Sequence, residues 1–387
     1  MLKQNNNQKM PPEAVLKGLR ILDFSWVLAG PYATLILADF GAEVIKIQPL
    51  LPEKDDAFSR GYYNTWNRNK LGITLNLEKA EGQRIVRKLI DLSDAVVENF
   101  SPRVMDNWGM DYPALQKIRP DIIYLRMSTA GHSGPRQDFS GFGPTVQATA
   151  GLTSLTGYPG QTPLGVGFAI ADHVAGLYAA ISLLGALEYR QKTGQGQYID
   201  LALTETMTTL LADNILEYTR KSNIDLISRP APEGIYRCRS EDRWVAITIN
   251  SDAEWESLKK ALGNPTWADR PEFSSRTARI QNREALNSQI QSWSQLQDAF
   301  EVMTILQRYG IAAGVVQNAA DIAADPQLKA RGFFFEQAQS SPIRLSACPV
   351  DYRKPAPLKG EDNDYVYREL LGLSSAEIEK LKSENVI

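Results

Sequence analysis

The chain has 387 residues, more than one ordinary core holds, so one large domain or two smaller ones is the first expectation. A net charge of -3 with no lysine or arginine run gives no electrostatic footprint for nucleic acid. The hydrophobic share of 43% and the charged share of 22% are those of a soluble globular protein. Cys238 and Cys348 are too few for a disulfide framework and fit a reducing cytoplasm. The first dozen or so residues are polar, lack an apolar signal core and read as a disordered tail. The most apolar stretch, Val174 to Leu187, is too short and too rich in glycine and alanine to span a bilayer. It reads as a buried helix, with no membrane partner.

Strand and helix signals then alternate. Leu19–Phe24 reads as a strand, and Gly30-Pro31 opens a helix that Gly41 stops near Phe40. Strands follow at Glu43–Ile47 and Ile73–Leu77, a helix from Ala80 to Leu92, and strands at Ala95–Asn99 and Asp121–Arg126. Such alternation predicts a doubly wound α/β sheet, a Rossmann-like large domain with helices on both faces. Glycine and proline crowd residues 131–167, which marks long loops and a site. A helix ending near Arg190 and a Gly194–Gly196 turn lead into the strand Gln197–Leu201.

The texture changes at the proline-bearing connector Asn223–Pro232. Beyond it, Gly234–Cys238 and Arg243–Ile249 read as a hairpin, followed by helices at Ala253–Leu262 and Arg283–Trp293 and a strand at Ile311–Val316. The expected division is a large domain over 1–224, a small α+β domain over 225–330, and a return to the large domain over 331–387.

Several familiar motifs fail. The turn Phe24–Gly30 has one glycine where a dinucleotide fingerprint needs three. Gly131-His-Ser-Gly-Pro135 lacks the closing glycine of a nucleophile elbow. With His132 and His173 as the two histidines, a serine triad or a metal site is not supported, and no metal is expected. Asp172 stands out: no other acid lies between Asp138 and Glu188, and it opens the long apolar segment. One reading makes it the N-cap of a helix beginning near Val174. The other makes it a nucleophile, which must be ionised and which a helix N-terminus keeps ionised. His173, adjacent in sequence, points elsewhere and reads as a surface or supporting residue rather than its base. Lys70 reads as packing support or part of a solvated turn.

Five pieces in order, Leu37-Ala-Asp-Phe-Gly-Ala-Glu-Val-Ile-Lys-Ile47, Asn67-Arg-Asn-Lys70, Val97-Glu-Asn-Phe-Ser-Pro-Arg103, Asp172-His-Val-Ala-Gly176 and Thr193-Gly-Gln-Gly-Gln197, resemble the family III coenzyme A-transferases. The resemblance covers nearly the whole chain. It implies that Asp172 is the nucleophile and that CoA passes from an acyl-CoA donor, such as succinyl-CoA, to a carboxylic acid through an aspartyl anhydride and an aspartyl-CoA thioester. It implies a CoA thioester as substrate and no permanently bound cofactor. Matching positions place CoA along Val27, Leu28, Ala29, Leu75, Asn76, Asn99, Phe100 and Phe142. Arg103 is expected on a CoA phosphate, although the arginine of oxalate-type members falls at Asn107 here. The resemblance also implies an interlocked dimer, a homodimer or a heteromer with a paralogous subunit.

Departures limit the substrate. Leu28 stands where oxalate-type enzymes carry a glutamine, which points to a larger or more apolar acid, such as a substituted dicarboxylate or an aromatic acid. A 2-methylacyl-CoA racemase of the same fold family needs a His-Asp pair in the loop Gly141-Phe-Gly-Pro-Thr145, where Phe142 cannot move protons. A CoA-binding subunit without its own turnover is the third reading, and the presence of Asp172 argues against it.

Overall fold

A computed structural model describes residues 14–50, 57–158, 160–219, 230–335, 338–350 and 352–387. The polar N-terminal tail and most of the 223–232 connector lie outside the described residues. The chain divides into two units, Met1–Ala212 with Gly332–Ile387, and Asp213–Arg331.

The first unit is built on six parallel strands: β1 (Arg20–Asp23), β2 (Glu43–Gln48), β3 (Leu71–Thr74), β4 (Ala95–Glu98), β5 (Ile123–Ser128) and β6 (Tyr198–Ala202). Their order is β3-β2-β1-β4-β5-β6, the doubly wound arrangement whose strand order reverses beside β1. Register is set by pairs such as Ile21 with Val44, Ile21 with Ala95, and Leu125 with Ile199. Every residue of β4 and β5 is buried, as a parallel sheet covered on both faces requires.

Alternation along the strands sends Ile21, Val44, Val97, Leu125 and Met127 to one face. There they meet α1 (Ala29–Asp39) and a long helix, α7 (Ile170–Thr193). Leu22, Ile45, Val96 and Tyr124 go to the other face. That face is covered by α3 (Ala80–Asp91), whose Ile85, Val86, Leu89 and Ile90 form one apolar stripe, and by α5 (Tyr112–Ile118). Helix α2 (Ala57–Trp66), α4 (Val104–Asn107), α6 (Gly143–Thr149) and α8 (Leu203–Thr208) complete the wound part of this unit.

Helix α7 is 24 residues long, and by length and composition it could cross a bilayer. It starts four residues before the stretch expected from sequence, because Ile170 and Ala171 extend the apolar run. Its small residues Ala171, Ala175, Gly176 and Ala179 are buried against α1 and the sheet core, while Leu177, Tyr178, Ile181 and Leu184 stay exposed, so the helix is buried along one face and not throughout as expected from sequence. A β-carbon on Gly176 would lie 2.8 Å from the Ala29 carbonyl and 2.9 Å from the Tyr32 ring, so only glycine allows α1 and α7 to approach this closely.

The C-terminal segment seals the β3 edge. Gly72 N–H donates to Asp362 (2.7 Å), Thr74 N–H to Asn363 (3.0 Å), and Asn76 N–H to the Val386 carbonyl (2.8 Å). An edge strand covered in this way offers no template for aggregation. The helix Ser375–Ser383 buries Ile378 and Leu381 in the same core as α3.

The second unit has a three-stranded antiparallel sheet of β7 (Glu233–Arg237), β8 (Trp244–Thr248) and β9 (Ala312–Val315). Ser240 and Asp242 take the left-handed backbone that turns the β7–β8 hairpin. Helices at Asp252–Ala261, Arg283–Ser294 and Ala299–Arg308 bury Trp255, Leu286, Ile290 and Leu306 in one core.

Candidate active site

Helices α1, α6 and α7 begin close to one another at the carboxyl edge of the sheet, where open α/β sheets bind ligands. Their N-cap positions are Leu28, Phe142 and Ala169, none of which supplies a side-chain cap hydrogen bond. Elsewhere Asp111, Ser251, Asp298 and Ser374 cap their helices in the ordinary way. Their first amides are partly satisfied within the segment, Phe142 N–H by Thr145 Oγ1 (2.9 Å) and Ile170 N–H by the Phe168 carbonyl (2.9 Å), and the three helix dipoles point their positive ends at this edge.

Asp172 lies in the first turn of α7, three residues past Ala169. It is not the N-cap of a helix starting at Val174: the helix begins at Ile170 and takes Asp172 inside its first turn. The carboxylate is partly buried. Burial raises its pKa above the usual range, against the opposing pull of His173 and of its own backbone N–H. A β-carbon built on Gly143 would sit 2.8 Å from Asp172 Oδ2 and 3.2 Å from Ala169 Cβ. Any side chain at 143 would thus displace the carboxylate.

An aromatic wall stands beside it. Trp66 meets Tyr32 (ring centroids 5.3 Å apart), Tyr62 (6.3 Å) and His173 (5.2 Å), all edge to face. Phe168 meets His173 at 6.0 Å. The His173 ring holds Nδ1 2.8 Å from the Ala169 carbonyl, so it braces the start of α7. The Tyr62 hydroxyl is held above its normal pKa by burial and by the charge of Asp172, which places the phenol in the field of the carboxylate. Sequence reasoning missed Tyr62, Tyr32 and Gly143. The Tyr62/Trp66 spacing of one helical turn was the available signal.

The expected CoA residues separate into two groups. Trp26 N–H donates to Asn99 Oδ1 (2.8 Å) and Asn99 Nδ2 donates to the Trp26 carbonyl (2.9 Å), so the end of β4 clamps the β1–α1 loop. Val27 is held there with φ 62°, a left-handed conformation rare for a β-branched residue. Trp26 and Phe142 touch edge to face at 6.4 Å and are 53% and 63% exposed. Val27, Asn99 and Phe142 are therefore brought together, and Phe100 and Arg103 follow on the same segment as Asn99. Arg103 is exposed and pairs with Asp138 at 2.8 Å.

The other group is not on this surface. Leu28 is 1% exposed and packs with Leu35 and Trp66 beside Tyr62 and Ala169, so its side chain shapes the wall from behind. Ala29 is fully enclosed between α1 and α7. Strand β3 ends at Thr74, three residues before the end of the strand expected over Ile73–Leu77 to carry Leu75 and Asn76. Leu75 is buried in the core, and Asn76 is engaged by Val386, Asn385 and Glu78. Two strand spacings, roughly 10 Å, also separate β3 from β1.

The Asn67–Lys70 motif is not a solvated turn. All four of its residues are buried. Arg68 Nη2 pairs with Asp39 at 2.5 Å, and Asn69 joins Asp39 to the backbone of Arg353. Lys70 Nζ donates to Asp23 (3.1 Å), the Pro31 carbonyl (3.0 Å) and Asn67 (2.9 Å). Burial would raise the Asp23 carboxyl, but Lys46, Lys70, Ser25 and Thr34 outweigh it and hold the group far below its normal pKa. Burial pushes Lys70 down to about 7 against the pull of Asp23. This ion cluster fixes the end of β1, and with it the loop that Asn99 clamps.

Residues 16–363 match the model of CoA-transferase family III. The chain is 33% identical over 402 residues to a succinyl-CoA--D-citramalate CoA-transferase of Chloroflexus aurantiacus, covering 97% of this chain and 99% of the relative. It is 29% identical to a succinate--glutarate CoA-transferase of Agrobacterium fabrum, over 94% and 96% of the two chains. A crystal structure of a CaiB/BaiF family protein from Brucella suis superposes with a TM-score of 0.84 at 30% identity, covering 92% of this chain and 99% of that one. The chain is an enzyme and belongs to CoA-transferase family III.

Proposed function

We propose that Asp172 is the nucleophile of a transfer from an acyl-CoA donor, with succinyl-CoA the first choice, to a larger or more apolar carboxylic acid. The observation that carries this is a partly buried carboxylate in the first turn of α7, pressed against Gly143 in a site lined by aromatic rings. The carboxylate attacks the donor thioester carbonyl and expels CoA thiolate, leaving a mixed anhydride. The thiolate attacks the aspartyl carbonyl, releases the donor acid and leaves aspartyl-CoA thioester. The acceptor carboxylate attacks that carbonyl, releasing thiolate and forming a second anhydride. Thiolate attack on the acceptor's acyl carbonyl then gives the new thioester and frees Asp172. All three enzyme-bound intermediates hydrolyse in water, and the wall of Tyr32, Tyr62, Trp66 and Phe168 serves to keep water out. CoA contact falls to Val27, Phe100, Arg103 and Phe142, with Asn99 holding the loop. Leu28, behind the wall, favours an apolar acceptor.

Incubating the protein with succinyl-CoA and a panel of acids, then reading thioesters by mass spectrometry, tests this directly. New acyl-CoA from a substituted dicarboxylate or an aromatic acid is the expected result. In deuterated water a chiral 2-methylacyl-CoA should keep its configuration and gain no deuterium, because Phe142 carries no proton. Enzyme-dependent exchange would instead establish an isomerase.

The working form in this reading is a cytoplasmic dimer, a homodimer or a heteromer. Relatives named as alpha and beta subunits of a succinyl-CoA--L-malate CoA-transferase keep the heteromer open. Leu177, Tyr178, Ile181 and Leu184 leave an apolar face of α7 exposed, as a subunit interface would. Light scattering of the purified chain at low micromolar concentration should give a dimer that persists on dilution. A stable monomer would contradict the homodimer.

A further inference from the structure

We infer that Arg126 is a positioning residue for CoA binding: its buried guanidinium ties both ends of the segment 99–107, so that Arg103 is aimed outward at the CoA phosphates. The inference rests on the placement of CoA proposed above. Arg126 lies on β5 and is 5% exposed. Its Nε donates to Glu98 Oε1 (2.7 Å), and Glu98 Oε2 accepts from the Phe100 N–H (2.7 Å), which fixes the start of the segment. Its Nη1 donates to Asp106 Oδ1 (2.8 Å), which fixes the end. The guanidinium also lies 5.7 Å from the centroid of the Tyr124 ring, a cation–π contact that holds its plane.

What lies between the two anchors needs such restraint. Arg103 has φ 77°, a left-handed backbone unfavourable for a residue with a β-carbon. A strained residue persists where its surroundings over-determine it. Its pair with Asp138 is exposed at both ends, 67% and 56%, and is too weak and too screened to impose the conformation. The constraint comes from below, through Glu98 and Asp106. Burial pushes Glu98 up to about 7 against the opposing pull of Arg126, so the pair is a costly arrangement to keep for packing alone. A phosphate offers Arg103 a stronger, charge-assisted partner than Asp138.

The test is a binding cycle with CoA and with pantetheine, which carries no phosphate. Arg103→Ala should weaken CoA roughly tenfold, the worth of one charge-assisted contact, and leave pantetheine unchanged. Arg126→Met and the milder Asp106→Ala should each weaken CoA by a similar factor, again without affecting pantetheine. Combined with Arg103→Ala, Asp106→Ala should not weaken CoA further, because it acts through that one side chain, whereas Arg126→Met also releases Glu98 and the Phe100 N–H. If Arg126→Met does not fold, Asp106→Ala alone decides, since it leaves the Glu98 pair intact. Additive losses for Asp106→Ala and Arg103→Ala, or equal losses for CoA and pantetheine, would overturn the inference. An unchanged CoA affinity in Arg103→Ala would instead refute the placement of CoA on which it rests.

Discussion

Replacing Asp172 with alanine should leave a folded protein that still binds CoA and has lost transfer by several orders of magnitude. Asp172 is the one carboxylate in the first turn of α7, and a covalent step without its nucleophile has no substitute. The fold should tolerate the change because Asp172 is not the N-cap residue of α7. An exposed acid in a first turn contributes about 0.3–1 kcal/mol through the helix dipole, and burial of this one works against that. The sign of the linkage is definite. A carboxyl with a raised folded pKa binds protons more tightly folded than unfolded, so stability falls with rising pH between the unfolded and folded values. Asp172→Asn should therefore melt higher than wild type at neutral pH, and the advantage should vanish below about pH 4, where both states are protonated. Activity should run the other way, falling as acid protonates the nucleophile. An alanine variant with substantial turnover, or an asparagine variant less stable at neutral pH, would contradict this assignment.

The largest stability loss is expected at Asp23. Asp23→Asn leaves Lys46 and Lys70 buried around a neutral group, and breaking a buried ion cluster in this way costs roughly 3–5 kcal/mol. Urea unfolding should show that loss as a lower midpoint with an unchanged slope. Lys70→Met should cost less, because Asp23 keeps Lys46 and the hydroxyls of Ser25 and Thr34. The depressed Asp23 pKa contributes stability that is present above the unfolded value of 3.8 and is lost as pH falls below it. A loss under about 1 kcal/mol for Asp23→Asn would mean that the cluster is not structural.

The sheet was legible because its strands are continuous apolar runs punctuated by glycine and charge. Ala95-Val-Val-Glu98 and Ile123–Ser128 declare themselves, and their order follows from β-α alternation. Helix α2 was not legible. Its sequence, Ala57-Phe-Ser-Arg-Gly-Tyr-Tyr-Asn-Thr-Trp66, combines glycine with aromatic and β-branched residues of poor helix propensity, and tertiary packing decides its form. The start of α7 was misplaced for a related reason. Ala169 gives no cap signal, so the nearest capping residue, Asp172, took its place. A helix whose N-cap side chain is apolar lacks the very marks by which helix starts are read.

The burial of Lys70 was hidden differently. Its partner Asp23 lies two strands away in the fold, and nothing local distinguishes a buried lysine from one in a solvated turn. Asp172 itself was found through its isolation among apolar residues and through resemblance. Its neighbours Tyr62 and Gly143 come from other segments and required the fold. Leu75 and Asn76 lie beyond the strand expected to carry them, because β3 ends at Thr74, and the C-terminal segment engages Asn76.

Mixing the wild-type protein with donor acyl-CoA, quenching with hydroxylamine and mapping peptides by mass spectrometry tests the central claim most directly. An aspartyl anhydride or thioester should be captured as a hydroxamate on the peptide that contains Asp172, only when donor is present. Label on a different acidic residue, with the Asp172 peptide unmodified, would contradict the account.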